Sequence, residues 1–235
     1  MNIEILKPDI NKSFTKFTVD NGKIRFGLGS IKNVGIAAIE NIVKEREKNG
    51  PYKDLIDFCE RIQGETVNKK CIECLIKAGT FDDFKETRKT LLASFEGIIN
   101  TIINEGKRSL KGQVTMFDLG NNEEKLEEIK YNYIKLSEFS ERELLSMEKE
   151  MLGLYISGHP LESVRPELER QTNINTLKII KINEGEEELY KDGQNVKYGG
   201  IITAVKKKYT KNNKIMAFVT IEDLYGSFEI IVLES

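Results

Sequence analysis

The sequence contains no tryptophan, one histidine, three cysteines and four prolines. A single histidine excludes a histidine-rich metal centre, and any Ser-His-Asp triad would depend on His159 alone. Three cysteines without a secretory signal at the start indicate a reducing compartment, so we expect a cytoplasmic protein. No apolar run approaches the roughly 18 residues that cross a bilayer, and we therefore expect no membrane partner.

The chain is rich in charge, but the two signs nearly cancel. Charged residues make up 31% of its 235 residues, and the net charge is -2. Such a chain is not a polycation, so contact with a nucleic acid would have to come from local basic patches. There are two such patches: residues 23–48 contain six bases against three acids, and residues 206–214 contain five lysines and no acid.

The pattern of apolar residues and turn signals predicts a short hairpin followed by helices in the first part of the chain. Asn21-Gly22 is a tight-turn signal between two short strands. The predicted elements are strands at 17–19 and 24–26, a helix from about 36 to Gly50-Pro51, a helix at 55–61 capped by Asp54, and a helix at 68–78 ended by Gly79.

The second part of the chain changes from helical to extended patterning. A capping box, Ser140-x-x-Glu143, opens one helix. The predicted elements are a long helix from Thr87 to about 105, a loop at 108–122, a helix from 141 to about 154, a linker at 171–195, and strands at 198–209, 215–221 and 228–233.

The most informative local pattern begins at Ile31 and predicts a helix-hairpin-helix. Its hairpin is Asn33-Val34-Gly35, between a short helix and a second helix with alanines at positions that allow close packing. In such a hairpin, left-handed residues turn backbone N–H groups outward at a helix N-terminus, which forms an anion site suited to a DNA phosphate. We expect Lys32, Asn33, Val34 and Gly35 to form the DNA-binding hairpin, and Lys44 and Arg46 to add phosphate contacts.

Other interpretations of this segment stay open. It is also compatible with an ordinary helix-turn-helix packing unit or with a nucleotide-binding glycine loop, although Gly27-x-Gly29 lacks a third glycine at the right offset. A second, weaker hairpin is predicted at Ala78-Gly79-Thr80. Alone, these three residues would be an ordinary helix C-cap, but beside the first hairpin they indicate a tandem pair that binds DNA backbones without reading sequence.

Gln113-Val-Thr-Met-Phe117 has the pattern of a peptide that binds a sliding clamp. In a loop, Met116 and Phe117 would be free to enter an apolar pocket on a partner, while Gln113 would hydrogen-bond at its edge. The alternative is a loop or short strand that packs its own Met and Phe inward.

The last strands resemble the opening of an OB fold, which binds single strands through a basic groove and stacking aromatic rings. The candidate residues for single-stranded DNA are Lys206, Lys207, Lys208, Tyr209 and Lys211. The alternative is a solvated edge strand protected by lysines. The fold class predicted for the whole chain is mainly α with a small β part: a tandem helix-hairpin-helix domain, then helices and an incomplete OB-fold barrel.

No active site is predicted. Cys71-x-x-Cys74 lies in a helical pattern, and tetrahedral zinc would need further ligands that only Cys59 and the distant His159 could supply. No serine or cysteine lies in a recognisable nucleophile motif, and no group of carboxylates suits magnesium. We expect no catalytic residue, no metal and no cofactor in this chain.

Taken in order, these pieces resemble the alpha subunit of bacterial DNA polymerase III, a C-family replicative polymerase. The stretches that carry the resemblance are Ile5 to Ser13, Ile24 to Gly35, Gly50 to Phe58, Leu75 to Asp82, Gln113 to Phe117, Glu148 to Pro160, and the strands from Tyr198. The resemblance implies the end of the fingers at 1–25, a tandem helix-hairpin-helix at 26–84, a long helix and clamp-binding loop at 85–122, a helical connector at 123–170, a linker at 171–195, and the first strands of an OB fold at 196–235.

The resemblance also implies a function. The catalytic aspartates of the family, and the Mg²⁺ that the parent polymerase would use, would lie upstream of this segment, so we expect the chain itself not to be an enzyme. The implied partners are duplex DNA, the sliding clamp (the beta subunit), other subunits of the holoenzyme and, through the OB strands, single-stranded DNA. The alternatives are a free-standing DNA-binding adaptor built from the same modules and, third, a small nuclease, for which no candidate residues are present.

Overall fold

The computed structural model describes residues 3–62, 67–115, 131–185, 190, 193–209 and 214–233, with the backbone alone for 105–115. The chain forms two compact units, Met1–Ser157 and Gly158–Ser235. We refer to them as the N-terminal and the C-terminal unit. No helix in the described part of the chain is long and apolar enough to cross a membrane.

The N-terminal unit begins with a small sheet. Strand β1 (Ile5–Leu6) pairs in parallel with β3 (Lys23–Arg25), which also pairs antiparallel with β2 (Thr18–Asp20). Asn21 and Gly22 both have positive φ, at 51° and 79°. Two successive left-handed residues form the tight turn that matches the twist of a two-stranded hairpin, so the predicted hairpin is confirmed.

A short 3-10 helix and five α-helices follow in this unit. The bounds are Leu28–Ser30 for the 3-10 helix, Ile36–Asn49 for α1, Leu55–Arg61 for α2, Lys69–Lys77 for α3, Arg88–Thr115 for α4 and Glu141–Leu152 for α5. Several ends follow directly from the sequence. Asp54 and Asn68 cap α2 and α3 through their side chains, and Ser140 with Glu143 forms the predicted capping box of α5.

The core of the N-terminal unit is built around fully buried aromatic and aliphatic side chains. The Phe58 ring packs edge-on against Tyr52 and against Phe81, with ring centroids 5.0 and 5.1 Å apart. Met151 and Leu152, at the end of α5, belong to the same buried cluster. The last turn of α5 is therefore part of the same packed body as α1 to α4.

A buried ion network connects four segments of this unit. The Arg88 guanidinium, at the start of α4, donates to both carboxylate oxygens of Asp82, at 2.6 and 2.7 Å. Its Nη2 also lies 3.6 Å from a carboxylate oxygen of buried Glu148 in α5. Glu148 in turn accepts hydrogen bonds from the backbone N–H groups of Ile156 and Ser157. Each of these charged groups has a partner, so removing any one of them would leave a buried charge uncompensated. Arg88 also donates to the Lys77 carbonyl, so the network connects α3, α4 and α5.

The C-terminal unit consists of short helices and one sheet. Its elements are a 3-10 helix at Glu162–Val164, α6 (Arg165–Gln171), α7 (Thr176–Asn183), β4 (Ile201–Tyr209), β5 (Ile215–Glu222) and β6 (Ser227–Leu233). The three strands form an antiparallel sheet in the order β4-β5-β6. Buried Asp223 holds one end of the sheet, since its carboxylate accepts hydrogen bonds from the N–H groups of Thr176, Tyr225 and Gly226.

Three predicted boundaries differ from the structure. The loop expected at 108–122 is wrong for residues 108–115, which continue α4, while residues 116–122 lie outside the described part. Helix α5 ends at Leu152 and not near 154, because Gly153 takes a left-handed conformation at φ 79°. The linker expected at 171–195 contains α7, which is capped by the Asn175 side chain.

The predicted class, mostly helical with a small β part, is confirmed. The three C-terminal strands agree with the opening of an OB barrel, and that assignment stays a prediction. The predicted boundary after residue 25 does not separate two packed bodies. The Lys7 ammonium lies 3.4 Å from the Asp82 carboxylate, and the Asn11 side chain exchanges two hydrogen bonds with the Tyr52 backbone.

Candidate nucleic-acid interface

The predicted hairpin, Asn33-Val34-Gly35, lies between the 3-10 helix and α1, and residues 31–32 lead into it. Ile31 and Val34 are buried, and they anchor its two sides in the core. Between them, Asn33 has a left-handed φ of 62°. Asparagine tolerates this region far better than most residues do, so Asn33 supplies a left-handed residue of the kind that the predicted hairpin requires.

The N-terminus of α1 is open. No side chain caps this helix, and its first turn contains no acidic residue. Gly35, Ile36 and Ala37 are all exposed there. The first N–H groups of a helix have no partner within the helix and carry the positive end of its dipole. By contrast, α2, α3 and α5 each have a side chain over their first amides.

Gly35, the N-cap of α1, differs from expectation. It was expected to share the left-handed conformation of the hairpin, yet its φ is -73° and its ψ 145°. A Cβ at this position would have no neighbour within 4 Å. Nothing within the described fold therefore requires glycine here, which leaves the backbone of the hairpin bare towards solvent.

The hairpin rests on α3 and α5. The Lys32 N–H donates to the Met151 carbonyl at 3.0 Å, and the Asn33 side chain hydrogen-bonds to Cys74 in α3. Burial raises the pKa of the Cys74 thiol, so Cys74 stays protonated as a packing residue. Sequence reasoning missed both supports, because they come from residues about 40 and 120 positions further along the chain.

The basic residues predicted around the hairpin divide into two groups. Lys32 and Lys44 are exposed, and neither makes an ion pair with another described residue. Arg46 is buried: its Nη1 donates to the carbonyls of Ile10 and Ser13 at 2.8 and 3.0 Å. The prediction that Arg46 contacts phosphate is therefore wrong, since its guanidinium is used inside the protein.

The second predicted hairpin, Ala78 to Thr80, is also wrong as a DNA-binding element. Gly79 has a φ of 78°, and its N–H donates to the Ile76 carbonyl while the Thr80 N–H donates to the Leu75 carbonyl. This pair of bonds is the Schellman motif that ends a helix. Ala78 and Thr80 are buried, so this segment has no amides to offer a phosphate.

The predicted clamp-binding residues fall at the edge of what the structure describes. The backbone of Gln113 belongs to α4, which continues to Thr115. Met116 and Phe117 lie outside the described residues. The expectation that Gln113 lies in a loop is therefore wrong, because the polar residues before it continue the helix.

The predicted basic strand, β4, presents its residues on two faces. Lys206 pairs with Phe218 and Lys208 with Met216 across the sheet, while Lys207 and Tyr209 alternate to the opposite face. The Lys208 ammonium lies 5.0 Å from the centroid of the Phe218 ring, a cation–π contact. Lys211 lies outside the described residues. Sequence reasoning missed Phe218, because strand register decides which ring shares a face with the lysines.

The cysteines and the histidine have structural roles in the described residues. Cys59, Cys71 and Cys74 are buried free thiols. Burial raises the pKa of Cys71 to about 11 and that of Cys59 to about 12. The His159 Nδ1 accepts a hydrogen bond from the Leu161 N–H. Within the described part of the chain, no group of three His, Cys, Asp or Glu side chains could hold a metal ion.

Comparison with known protein families gives a match to the first part of the chain. Residues 2–91 match the family of the helix-hairpin-helix motif, a stretch that includes the N-terminal sheet, the open hairpin and helices α1 to α3.

The whole chain then matches DNA polymerase III alpha subunits. It is 36% identical to that of Borreliella burgdorferi over 99% of its own length, and 36% identical to that of Bacillus subtilis over 98%. It is 38% identical to that of Chlamydia pneumoniae over 98%. It spans 18 to 20% of the length of these relatives. The chain thus belongs to the DNA polymerase III alpha subunit family and corresponds to about a fifth of those proteins.

Proposed function

We propose that the N-terminal unit binds the backbone of duplex DNA at the open N-terminus of α1, on behalf of a replicative polymerase. The observation that carries this proposal is the bare hairpin at Gly35: an uncapped helix N-terminus, without an acidic side chain, inside the stretch that matches the helix-hairpin-helix family. Backbone amides and a helix dipole attract a phosphate irrespective of the base attached to it.

Two exposed lysines support this binding role. Lys32 lies in the hairpin itself and Lys44 on α1, so both place positive charge on the element that presents the amides. Because the chain corresponds to about a fifth of its relatives, we propose that polymerisation belongs to other parts of such a protein. This segment would hold the duplex while the reaction proceeds elsewhere.

The test is the substitution Gly35→Asp. An aspartate fits this extended N-cap and should cap α1, so the melting temperature should stay equal or rise slightly. Its carboxylate would occupy the site of the phosphate, and we expect duplex affinity in fluorescence anisotropy to fall by at least tenfold. The control is Gly158→Asp in the C-terminal unit, where a Cβ also has no neighbour within 4 Å; it adds the same charge. Equal binding by both variants would contradict the proposal.

We further propose that residues 113–117 bind the sliding clamp. The support is the Gln-x-x-Met-Phe sequence together with the family assignment. Since Gln113 is helical, docking as an extended peptide would first unwind the last turn of α4. Two buried apolar anchors contribute roughly 1.5–3 kcal/mol each before that cost, so the peptide alone should bind only weakly. Attachment to DNA that the clamp encircles would raise the effective affinity.

The test is the double variant Met116→Ala with Phe117→Ala. If the two residues are free anchors, clamp binding should be lost while the melting curve and duplex affinity stay unchanged. If they pack into the core, the variant should lose several kcal/mol of stability. The matched control is Leu177→Ala with Ile180→Ala, two exposed apolar side chains on α7, which should leave clamp binding intact. A destabilised double variant, or unchanged clamp affinity, contradicts the assignment.

For the sheet, the contact of Lys208 with Phe218 supports a second candidate function, which is binding of single-stranded DNA. A ring with lysines on the same face combines stacking with phosphate attraction. Phe218→Ala should weaken oligo-dT binding by about tenfold, whereas Tyr209→Ala, on the opposite face, should change it less than twofold. Equal effects of the two substitutions would contradict binding of single-stranded DNA on the Phe218 face of the sheet.

A further inference from the structure

Residues 13–17 lie directly against the 3-10 helix that opens the hairpin. The Leu28 N–H donates to the Phe14 carbonyl at 2.8 Å, and the Gly29 N–H donates to the Thr15 carbonyl at 3.0 Å. The glycines allow this approach. A Cβ at Gly27 would lie 2.6 Å from the Lys16 carbonyl carbon, and a Cβ at Gly29 would lie 2.7 Å from the Thr15 oxygen.

The same segment is held from α1. The Arg46 guanidinium donates to the Ser13 carbonyl at 3.0 Å and lies 5.0 Å from the centroid of the Phe14 ring. The Ser13 hydroxyl donates to the Phe26 carbonyl at 2.8 Å. Residues 13–17 are therefore fixed relative to both sides of the hairpin, which explains why Arg46 is buried.

This attachment places the segment beside the open helix N-terminus. The Thr15 Cγ2 and the Ile36 Cδ1 both lie 3.3 Å from the point where a Cβ of Gly29 would be, and Ile36 is the first residue of α1. Lys16 and Phe17 follow Thr15 and are exposed. The Phe17 ring is fixed by an edge-on contact with Phe26, with centroids 4.8 Å apart.

Lys16 differs from the other cations of this region in its ion pairing. Four other cations of the first 25 residues are paired with carboxylates: Lys7 with Asp82, Lys12 with Asp9 and Asp83, Lys23 with Glu4, and Arg25 with Asp20. Lys16 has no carboxylate partner among the described residues. An exposed, unpaired ammonium on a fixed backbone loses little on meeting an external anion, because no internal ion pair must first break.

We propose that Lys16 binds a second backbone phosphate of the duplex. This phosphate neighbours the one that lies at the amides of α1. This inference rests on the proposed function of the hairpin and extends that site to a residue outside it. The duplex-binding surface then consists of two rigidly connected parts, the α1 N-terminus and the segment at 15–17.

The test compares Lys16→Ala with Lys23→Ala in the whole chain, with a duplex of arbitrary sequence. Each removes one lysine, so they change the net charge equally, and Lys23 differs from Lys16 in that it is paired with Glu4. Each phosphate contact contributes about 0.9 to the slope of log affinity against log salt. Lys16→Ala should reduce that slope by about 0.9, so its deficit relative to wild type should shrink about threefold between 50 and 200 mM salt. Lys23→Ala should leave the slope unchanged.

Two further variants separate the possible outcomes. Lys16→Arg keeps the charge and should keep the wild-type slope. If Lys16→Ala and Lys23→Ala bind alike while Gly35→Asp abolishes binding, the proposal for Lys16 is overturned and the function of the hairpin stands. If Gly35→Asp binds as wild type does, the function itself fails and this inference fails with it.

Discussion

The two units of the chain bury their apolar residues to very different extents. In the N-terminal unit, side chains from the residue after β3, from the hairpin and from all five α-helices enter one cluster. In the C-terminal unit, the apolar side chains that are buried among the described residues are Leu161, Ile174 and Val219. Strands β4 and β6 expose large apolar residues, among them Ile202, Ile231 and Leu233.

This contrast shows what holds the backbone of each unit in place. The hairpin of the N-terminal unit lies on a close-packed base, so its amides are held in place before any ligand arrives. The sheet of the C-terminal unit is ordered mainly by its hydrogen bonds and by the groups around Asp223. We therefore expect substitutions in the N-terminal core to cost much more stability than matched substitutions in the sheet.

The largest effect is expected for Phe58→Ala. The ring is fully buried between Tyr52 and Phe81, so its removal should cost about 3–5 kcal/mol. The matched change in the C-terminal unit is Phe228→Ala, whose half-buried ring contacts Tyr198 with centroids 4.5 Å apart. It should cost less than half as much. Chemical denaturation of both variants checks the difference, and equal costs would refute the contrast between the units.

A smaller loss is expected for Gly79→Ala. Gly79 has positive φ, and a Cβ there would overlap with the buried Arg88 guanidinium. The backbone strain and the disturbed ion pair together should cost about 2–4 kcal/mol of unfolding free energy. If the melting temperature of the variant stays within about 2 °C of the wild-type value, the Arg88 network does not stabilise this unit.

A gain in the free energy of unfolding is expected for Gly97→Ala in α4. A Cβ at Gly97 would meet nothing within 4 Å, and alanine is favoured over glycine in a helix interior by about 1 kcal/mol. The variant should therefore be more stable by up to that amount. A loss of stability in the same denaturation experiment would mean that the helix is not continuous at this position.

The smallest expected effect is the alkylation of the cysteine thiols in the native protein. Burial raises the pKa of Cys71 to about 11 and that of Cys59 to about 12, so both are protonated at pH 8, and all three cysteines are buried. Native protein at pH 8 should show no alkylation in intact mass over a period in which unfolded protein gains three labels. Labelling of the native state at Cys71 or Cys74 would show that α3 opens beneath the hairpin.

Local signals predicted much of this fold. Asn21-Gly22, the caps Asp54 and Ser140, and the stop at Gly50 each act on a few neighbouring residues, so the sequence alone identifies them. The left-handed Asn33 and the buried Val34 follow from the same short pattern.

The predictions that were wrong depend on distant contacts. From its local sequence, Arg46 resembles a surface base, but its guanidinium donates to the carbonyls of Ile10 and Ser13. The pattern at Ala78 to Thr80 resembles a hairpin, but the N–H groups of this turn are used in the Schellman bonds. The faces of Lys206, Lys207 and Lys208 depend on strand register. Tertiary packing decides each of these cases, and a short sequence window does not contain it.

In the proposed complex, the amides of the hairpin and of the first turn of α1 contact duplex DNA. Hydrogen exchange with mass spectrometry, on a peptide that covers residues 32–38, measures this directly. At low salt and saturating duplex, exchange in this peptide should slow markedly, and the effect should disappear in Gly35→Asp. Unchanged exchange at 32–38, with protection appearing elsewhere in the chain, would show that duplex DNA binds at another surface.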